Sequence, residues 1–353
     1  MQAEGNGQEA ISNRWGKIQR LTFNIRMGMA TWPGRAFIPF AAGLLFLAIV
    51  ALGFAQQGWS RLTTIQQDGQ PAIINAVTYD GDDIWVVGAK GLIGRSSDEG
   101  RTFNAIPSVV DMSLNDVAVR GEHIAIVGDQ GTILQSTDGG RSFVRSNYSL
   151  RFRDGQDEVG LVDLYSVQLI DKDKGYIVGD HGLILTTGNG GASWREQHSG
   201  TEAQLFHLSF RDERGWVVGT GGSILHTNDG GRNWYPQRSG VQEDLNRVYF
   251  LDDQTGLITG DKGVLLRTEN GGATWERASL KVSEQLFGIS FIDKKTGWVV
   301  GHQGRIIRTY NGGRDWIEQD SRTTADLFSV SFYKNRGYAI GRDGLVMRYY
   351  EKR

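Results

Sequence analysis

Four arginines recur at one position of a repeated sequence pattern, and their chemistry suits them to binding another molecule. Each follows a short apolar run and precedes a turn of the form Ser/Thr-x-Asp/Asn-Gly-Gly or a close variant of it, or the C-terminus. Guanidinium groups bind carboxylates through two parallel hydrogen bonds, so arginines at one level of a fold can form an anion-recognition surface. In chain order the position holds Arg95, Gln135, Thr186, His226, Arg267, Arg308 and Arg348.

Loops predicted on the same face add further charges. The basic ones are Lys294, Lys295, Lys334 and Arg336. The acidic ones are Asp80, Asp82, Asp83, Asp171, Asp173, Asp252 and Asp253. The sequence therefore predicts a partner-binding face that is basic on one side and acidic on the other, which would orient a partner by charge complementarity. The alternative is that each arginine packs its stem between repeats and pairs with a nearby carboxylate.

The sequence contains no group of residues with the spacing of a catalytic or metal site. Paired metal-ligand spacing is absent from the six histidines, which are His123, His181, His198, His207, His226 and His302. Neither a nucleophile elbow nor a phosphate-binding loop followed by a helix is found. The chain has no cysteine, which excludes thiol catalysis and cysteine metal ligands. We therefore expect no catalytic residue, no metal and no cofactor.

The elements that position these residues are repeats. An apolar run ending in glycine occurs seven times, and the closing residues are Gly88, Gly128, Gly179, Gly219, Gly260, Gly301 and Gly341. A period near 40 residues indicates a repeat architecture. Each copy reads as four short strands with glycine-rich turns, as in one propeller blade. The predicted fold is therefore an all-β, seven-bladed propeller preceded by an N-terminal transmembrane helix.

The turn after the third strand is the Asp box of sialidase-like propellers. Examples are TNDGGRNW at 227–234 and TENGGATW at 268–275. The acidic position holds Asp98, Asp138, Asn189, Asp229, Asn270 and Asn311. Exchange between Asp and Asn suits a hydrogen-bond acceptor that shapes the turn better than it suits a metal ligand. We therefore interpret the boxes as structural.

The seventh copy stops after its third strand. The segment that begins at Trp59 has the composition of the other outer strands and precedes the first repeat. Pairing of the two chain ends would complete the last blade and remove an open edge. The propeller is therefore predicted to extend over residues 59–353, closed by the N-terminal strand.

The N-terminal part has a different composition. Residues 36–55 are 20 consecutive residues without a charge, enough to span a bilayer core. Residues 1–35 are basic and have the periodicity of an amphipathic interfacial helix. The positive-inside rule then predicts a single-pass signal anchor in the inner membrane, with a cytoplasmic N-terminus and a periplasmic propeller. The alternative is a signal peptide cleaved after Ala55.

Seven Asp-box blades, repeated VVGxxGxIxxT strands, arginines at one level and an exported N-terminus resemble the photosystem II stability and assembly factor family. The resemblance covers residues 59–353. It implies a non-enzymatic propeller that binds a reaction-centre protein through an arginine patch, for which Arg95, Arg267, Arg308 and Arg348 are the matching residues.

The sequence thus favours a membrane-anchored, extracytoplasmic protein-binding scaffold. It would act as an assembly factor or accessory subunit of an inner-membrane complex, whose partner is a reaction-centre-like protein or a transporter. The bilayer itself would be contacted through residues 36–55. The alternative is a sialidase-like propeller that binds or hydrolyses carbohydrate. A formal net charge of -2 and the lack of a basic, aromatic surface exclude a nucleic-acid partner.

Overall fold

The computed structural model of the protein describes residues 58–146 and 162–350. Within these ranges no helix is long and apolar enough to cross a membrane. The predicted segments 1–35 and 36–55 lie outside the described residues. The described ranges form an all-β, seven-bladed propeller, and the predicted propeller fold is confirmed for this part of the chain.

The strands follow one another from the centre of each blade outward, and all neighbours are antiparallel. The first part of the described chain forms β1 (Gly58–Thr64) and a short ribbon of β2 (Gln66–Gln67) and β3 (Gln70–Pro71). Blades one and two contain β4 (Ile74–Asp80), β5 (Asp83–Gly88), β6 (Leu92–Ser96) and β7 (Asn104–Ala105), then β8 (Leu114–Arg120), β9 (His123–Gly128), β10 (Thr132–Ser136) and β11 (Val144–Arg145). Blades three and four contain β12 (Leu164–Leu169), β13 (Gly175–Gly179), β14 (Ile184–Thr187) and β15 (Arg195–Gln197), then β16 (Leu205–Arg211), β17 (Arg214–Gly219), β18 (Ile224–Thr227) and β19 (Tyr235–Gln237).

The remaining blades have the same order. Blades five and six contain β20 (Leu245–Phe250), β21 (Gly256–Gly260), β22 (Leu265–Thr268) and β23 (Glu276–Arg277), then β24 (Leu286–Phe291), β25 (Gly297–Gly301), β26 (Ile306–Thr309) and β27 (Ile317–Gln319). Blade seven contains β28 (Leu327–Tyr333), β29 (Arg336–Gly341), β30 (Leu345–Tyr350) and β1. Short 3-10 turns cover Thr220–Gly222, Asp261–Gly263, His302–Gly304 and Arg342–Gly344.

The core consists of apolar layers between neighbouring blades. Trp216, Val217 and Val218 in β17 are all 0% exposed, because blades three and five cover the two faces of this strand. Full burial of one such side chain stabilises the fold by about 1.5–3 kcal/mol. Every blade therefore depends on both of its neighbours for its stability.

Pairing of β1 with β30 closes the ring. The register places Gly58 opposite Tyr350 and Thr64 opposite Leu345. Trp59 is 3% exposed, and its ring centroid lies 5.5 Å from that of Tyr349. The outer strand of blade seven thus comes from the start of the propeller, and it covers the edge that β30 would otherwise expose.

The Asp boxes connect the third and fourth strands at one face, which we call the Asp-box face. In each box a Ser or Thr hydroxyl accepts a hydrogen bond of 2.9 Å from the backbone amide of a buried glycine four residues later. An oxygen of the Asp or Asn side chain accepts a hydrogen bond of 2.9–3.0 Å from the backbone amide four residues further on. Asp98, Asp138, Asn189, Asp229, Asn270 and Asn311 all have this role.

The last glycine of a box also contacts the preceding blade. Gly140 has a φ of +80°, and a Cβ atom there would lie 2.2 Å from the ring of Trp85. A side chain at this position would therefore both strain the turn and separate blades one and two. The box and the aromatic residue of the neighbouring second strand form one packing unit.

Substitution of Trp59 by Ala tests the closure of the ring. Because the ring of Trp59 fills the layer under Phe332 and Tyr349, its loss should lower the free energy of unfolding by about 3–5 kcal/mol. Urea unfolding followed by fluorescence measures this change. The matched control is Ile317→Ala on the outer strand of blade six, where the side chain is 61% exposed and the change should stay within about 0.5 kcal/mol. Equal effects of the two substitutions would contradict the packing role of Trp59.

Acid should weaken the three boxes that carry Asp. Hydrogen bonds from Thr102 lower the pKa of Asp98 to about 2, and those from Asn233 lower the pKa of Asp229 to about 2. Hydrogen bonds from Ser142 also lower the pKa of Asp138. An Asp in the unfolded chain has a pKa of about 3.9. The stabilisation by these three carboxylates is therefore complete above about pH 3.9 and is lost as the pH falls through their pKa values in the folded protein.

We therefore expect the unfolding temperature to fall between about pH 4 and pH 2. The triple variant Asp98→Asn, Asp138→Asn and Asp229→Asn should fold at neutral pH, because Asn makes the equivalent bonds in the other three boxes. Its unfolding temperature should depend less on pH in this range. Identical pH profiles for the variant and the wild type would be inconsistent with this role of the boxes.

Candidate functional site

The position of the arginine series lies at the end of the third strand of each blade, beside the Asp-box turn. The turns between first and second strands lie at the same face, because successive strands are antiparallel. Lys294, Lys295, Lys334 and Arg336 are on these turns or beside them. The residues predicted for partner binding therefore lie at one face of the propeller, on blades five, six, seven and one.

Arg95 and Arg267 are held by hydrogen bonds within and between blades. The guanidinium of Arg95 lies 2.5 Å from a carboxylate oxygen of Asp83 and 5.2 Å from the centroid of Trp85. Its side chain is 41% exposed. Arg267 donates to the carbonyl of Gly312 at 2.9 Å and to Glu269 at 2.5 Å. Both arginines thus lie flat against the inter-blade layer and pair with a carboxylate.

Arg308 is buried, with 2% of its surface exposed. Its guanidinium carbon lies 4.5 Å from the ring centroid of Trp298 and 4.2 Å from that of Tyr310, and it donates to the hydroxyl of Tyr349. Cation–π contacts of this kind are worth about 2 kcal/mol or more once desolvated. Arg308 therefore stabilises the layer between blades six and seven, and it offers almost no surface to a partner.

Arg348 pairs with a residue that the sequence analysis did not single out. The carboxylate of Glu99 lies 2.9 Å from Arg348 and 2.9 Å from Arg336. Glu99 belongs to the first Asp box, at the place where the other five boxes have glycine, and its φ is +62°. This conformation is unfavourable for a residue with a side chain. The departure from Gly-Gly was the signal in the sequence that marked Glu99.

The hydrogen bond from Arg348, together with the charges of Arg348 and Arg336, holds the pKa of Glu99 below its usual range. Glu99 is therefore a carboxylate at neutral pH. Since it lies on blade one and both arginines lie on blade seven, the cluster connects the two blades that flank the closing strand.

The lysines form the exposed layer of this face. The ammonium of Lys294 lies 3.0 Å from Asp252 with 74% of its side chain exposed, and that of Lys334 lies 3.9 Å from Asp82 with 66% exposed. Lys295 is also exposed. Lys294 of blade six and Lys334 of blade seven thus pair with acidic side chains of the adjacent blades five and one.

Catalytic and metal-binding arrangements are not evident at this face. Among residues 58–146 and 162–350, no group of three or more histidine or acidic side chains is placed to hold a metal ion. Of the histidines, His302 has its Nδ1 2.7 Å from a carboxylate oxygen of Asp326 on the opposite face. Burial lowers the pKa of His207 and that of His226, so both are neutral.

Comparison with solved structures gives several similar propellers. The structure described as YCF48 bound to D1 peptide is 18% identical, has a TM-score of 0.70 and covers 84% of this chain and 96% of its own. YCF48 from Cyanidioschyzon merolae is also 18% identical, with a TM-score of 0.69 and coverage of 83% and 99%. A GH74 enzyme from Niastella koreensis is 13% identical, with a TM-score of 0.65 and coverage of 82% and 53%. At these identities the likeness shows the fold alone.

Sequence comparison gives a more specific result. No curated protein is significantly similar to the chain. The family model described as photosynthesis system II assembly factor YCF48 matches residues 154–240 and 268–352. The matched ranges contain the Asp boxes of blades three to six and the arginine positions at 308 and 348. The chain therefore belongs to the photosystem II assembly factor-like family of BNR-repeat propellers.

Proposed function

We propose that the protein is a non-enzymatic scaffold that binds a protein of an inner-membrane complex, as an assembly factor or an accessory subunit. The observation that carries this proposal is the family match, together with a similar propeller that is described as bound to D1 peptide. The partner would be a reaction-centre-type protein, and a transporter is the other candidate.

The lysine layer of the Asp-box face is the best-suited contact surface. Lys294, Lys295 and Lys334 are exposed, whereas Arg308 is buried and Arg267 and Arg348 are largely covered and paired. Exposed charges on mobile stems can exchange one carboxylate for another at small cost, because each surface ion pair is worth only about 0–1 kcal/mol. We therefore assign contact to the lysines and support to Arg267, Arg308 and Arg348.

A carboxylate-rich segment is the partner chemistry that this surface fits. Within the protein, Asp252 and Asp82 already pair with two of these lysines. The carboxylates of a partner would have to replace these two or add to them. Charge complementarity of this type mainly raises the association rate and fixes orientation. The interaction should therefore weaken as the salt concentration rises.

The proposed location is the inner membrane, with residues 36–55 as a single-pass anchor and the propeller in the periplasm. The support for this is the uncharged stretch and the basic segment before it. Only Gln56 and Gln57 separate the proposed span from Gly58, where β1 begins beside Tyr350 at the Asp-box face. The three peptide steps from Ala55 to Gly58 reach about 10 Å at most, so the proposed connection between the span and β1 is short.

Substitution of exposed lysines tests the contact surface. The variant with Lys294→Gln and Lys334→Gln should remain folded, because both side chains are mostly exposed, and should bind the partner about three- to tenfold more weakly. Recovery of the inner-membrane protein that co-purifies with the full chain in mild detergent measures this. The matched control is Lys90→Gln with Lys262→Gln on the opposite face, where equivalent turns already carry Gln130 and Gln303. Equal recovery from the two double variants would exclude the lysine surface.

Fractionation tests the anchor. Carbonate and high salt should leave the full-length chain in the inner-membrane fraction, because a hydrophobic span is not released by either treatment. Mass spectrometry should show that residues 1–55 are retained. A released protein that begins at Gln56 would replace the anchor with a cleaved signal peptide.

A further inference from the structure

The propeller has a central channel that none of the functions above uses. The first strands of all seven blades line it, and its Asp-box half contains a cavity of about 360 Å³. Three ionisable side chains form the inner end of this cavity, and they are Asp116, His207 and Arg247. They occupy the same position of the first strand in blades two, four and five.

Asp116 is held by blades two and three alone. Its carboxylate accepts hydrogen bonds from the Ser166 hydroxyl at 2.9 Å, the Val167 amide at 3.1 Å and the Val117 amide at 2.9 Å. Burial raises its pKa, and the charge of Arg247 opposes that rise. Asp116 and Arg247 interact through their charges, but among the described residues the two side chains form no direct ion pair.

Arg247 has no such partner. Among the residues that the structure describes, its guanidinium makes no hydrogen bond and no carboxylate lies within ion-pair distance of it, although burial in the channel lowers its pKa. A guanidinium has five N–H donors, and Arg247 has no protein acceptor for them among the described residues. His207 beside it accepts weakly from the Val248 amide through Nδ1, so its proton is assigned to Nε2. The inner end of the cavity thus has unused donors.

Hydroxyl groups surround the next level of the channel. Thr78, Ser209, Ser290 and Ser331 come from blades one, four, six and seven, and all line the cavity. The equivalent positions in blades six and seven hold the small residues Gly288 and Ser329. Arg120 also lines the cavity, but it donates to the Ile170 carbonyl at 2.7 Å. One cation without such a bond, beside neutral O–H donors, is suited to a ligand with a single negative charge.

We propose that the channel binds a carboxylate group, with Arg247 as its bidentate partner and the hydroxyls of Thr78, Ser209 and Ser331 as further donors. A carboxylate matches the planar guanidinium fork. A doubly charged anion such as phosphate fits less well, because Asp116 lies at the same level and would repel the second charge. The group can belong to a small free acid or to the C-terminus of a peptide that enters from the Asp-box face.

Calorimetric titration of the full-length protein in detergent tests the site. The probes are propionate, the peptide acetyl-Ala-Ala-Ala with a free C-terminus, and the same peptide as its C-terminal amide, all at matched ionic strength in sodium chloride. At least one carboxylate should bind, and the amide should not. Binding of propionate alone would identify a small acid as the ligand, and binding of the peptide would identify a chain terminus. Failure of both carboxylates to bind would overturn the proposal.

Variants assign the binding to the channel. Arg247→Gln should lower the affinity at least tenfold, while Arg145→Gln removes the same charge from the exposed outer strand of blade two and should leave it unchanged. Ala118→Leu narrows the channel without removing a charge and should also weaken binding, so it serves if Arg247→Gln does not fold. Wild-type affinity in a folded Arg247→Gln or Ala118→Leu protein would overturn the proposal. Because the lysine variants leave the channel unchanged, this test is independent of the partner surface.

Discussion

The pairing of β1 with β30 is the contact on which the rest of this structure depends. No blade has a core of its own, since each second strand is buried only by the blades on either side. Blades one to six are each built from four consecutive strands, whereas blade seven combines β28–β30 with β1 from the other end of the propeller. Trp59 fixes that strand by inserting its ring under Phe332 and Tyr349. The stability of all seven inter-blade layers therefore depends on the pairing of β1 with β30.

The candidate site is a consequence of the same packing. Arg95, Arg308 and Arg348 lie beside aromatic rings of the second strands. The carboxylates Asp83, Glu269 and Glu99 pair with Arg95, Arg267 and Arg348. The lysines on the short turns form a more exposed layer, with 74% of the Lys294 side chain and 66% of the Lys334 side chain accessible to another molecule. One repeated position thus provides the inter-blade packing, and the adjacent turns provide the charge that a partner would contact.

Much of this arrangement could be predicted, because the repeat on which it depends is visible in the sequence. Seven closing glycines and six Asp boxes specify the number of blades and the face to which Arg95, Arg267, Arg308 and Arg348 belong. Exposure could not be predicted in the same way. Arg308 is buried because Trp298 and Tyr310 happen to flank it, and those neighbours are brought together by strand pairing and turn geometry. The roles of Glu99 and of the charged channel residues also depend on how neighbouring blades are aligned. The missing glycine was a signal in the sequence for Glu99, and the alignment of the repeats was a signal for the channel residues.

The direction of β1 has a mechanical consequence. Its first residue, Gly58, lies opposite the last residue of β30, so the two strands are antiparallel neighbours whose free ends leave the same face. A force that pulls the chain before Gly58 away from that face would act first on the hydrogen bonds at the end of the two strands where Gly58 and Tyr350 lie. The remaining hydrogen bonds between β1 and β30 would then break one after another. The side chain that resists such peeling is the next one along, Trp59, which is 3% exposed. The resistance of the propeller to such a force would therefore depend on the packing of the Trp59 ring.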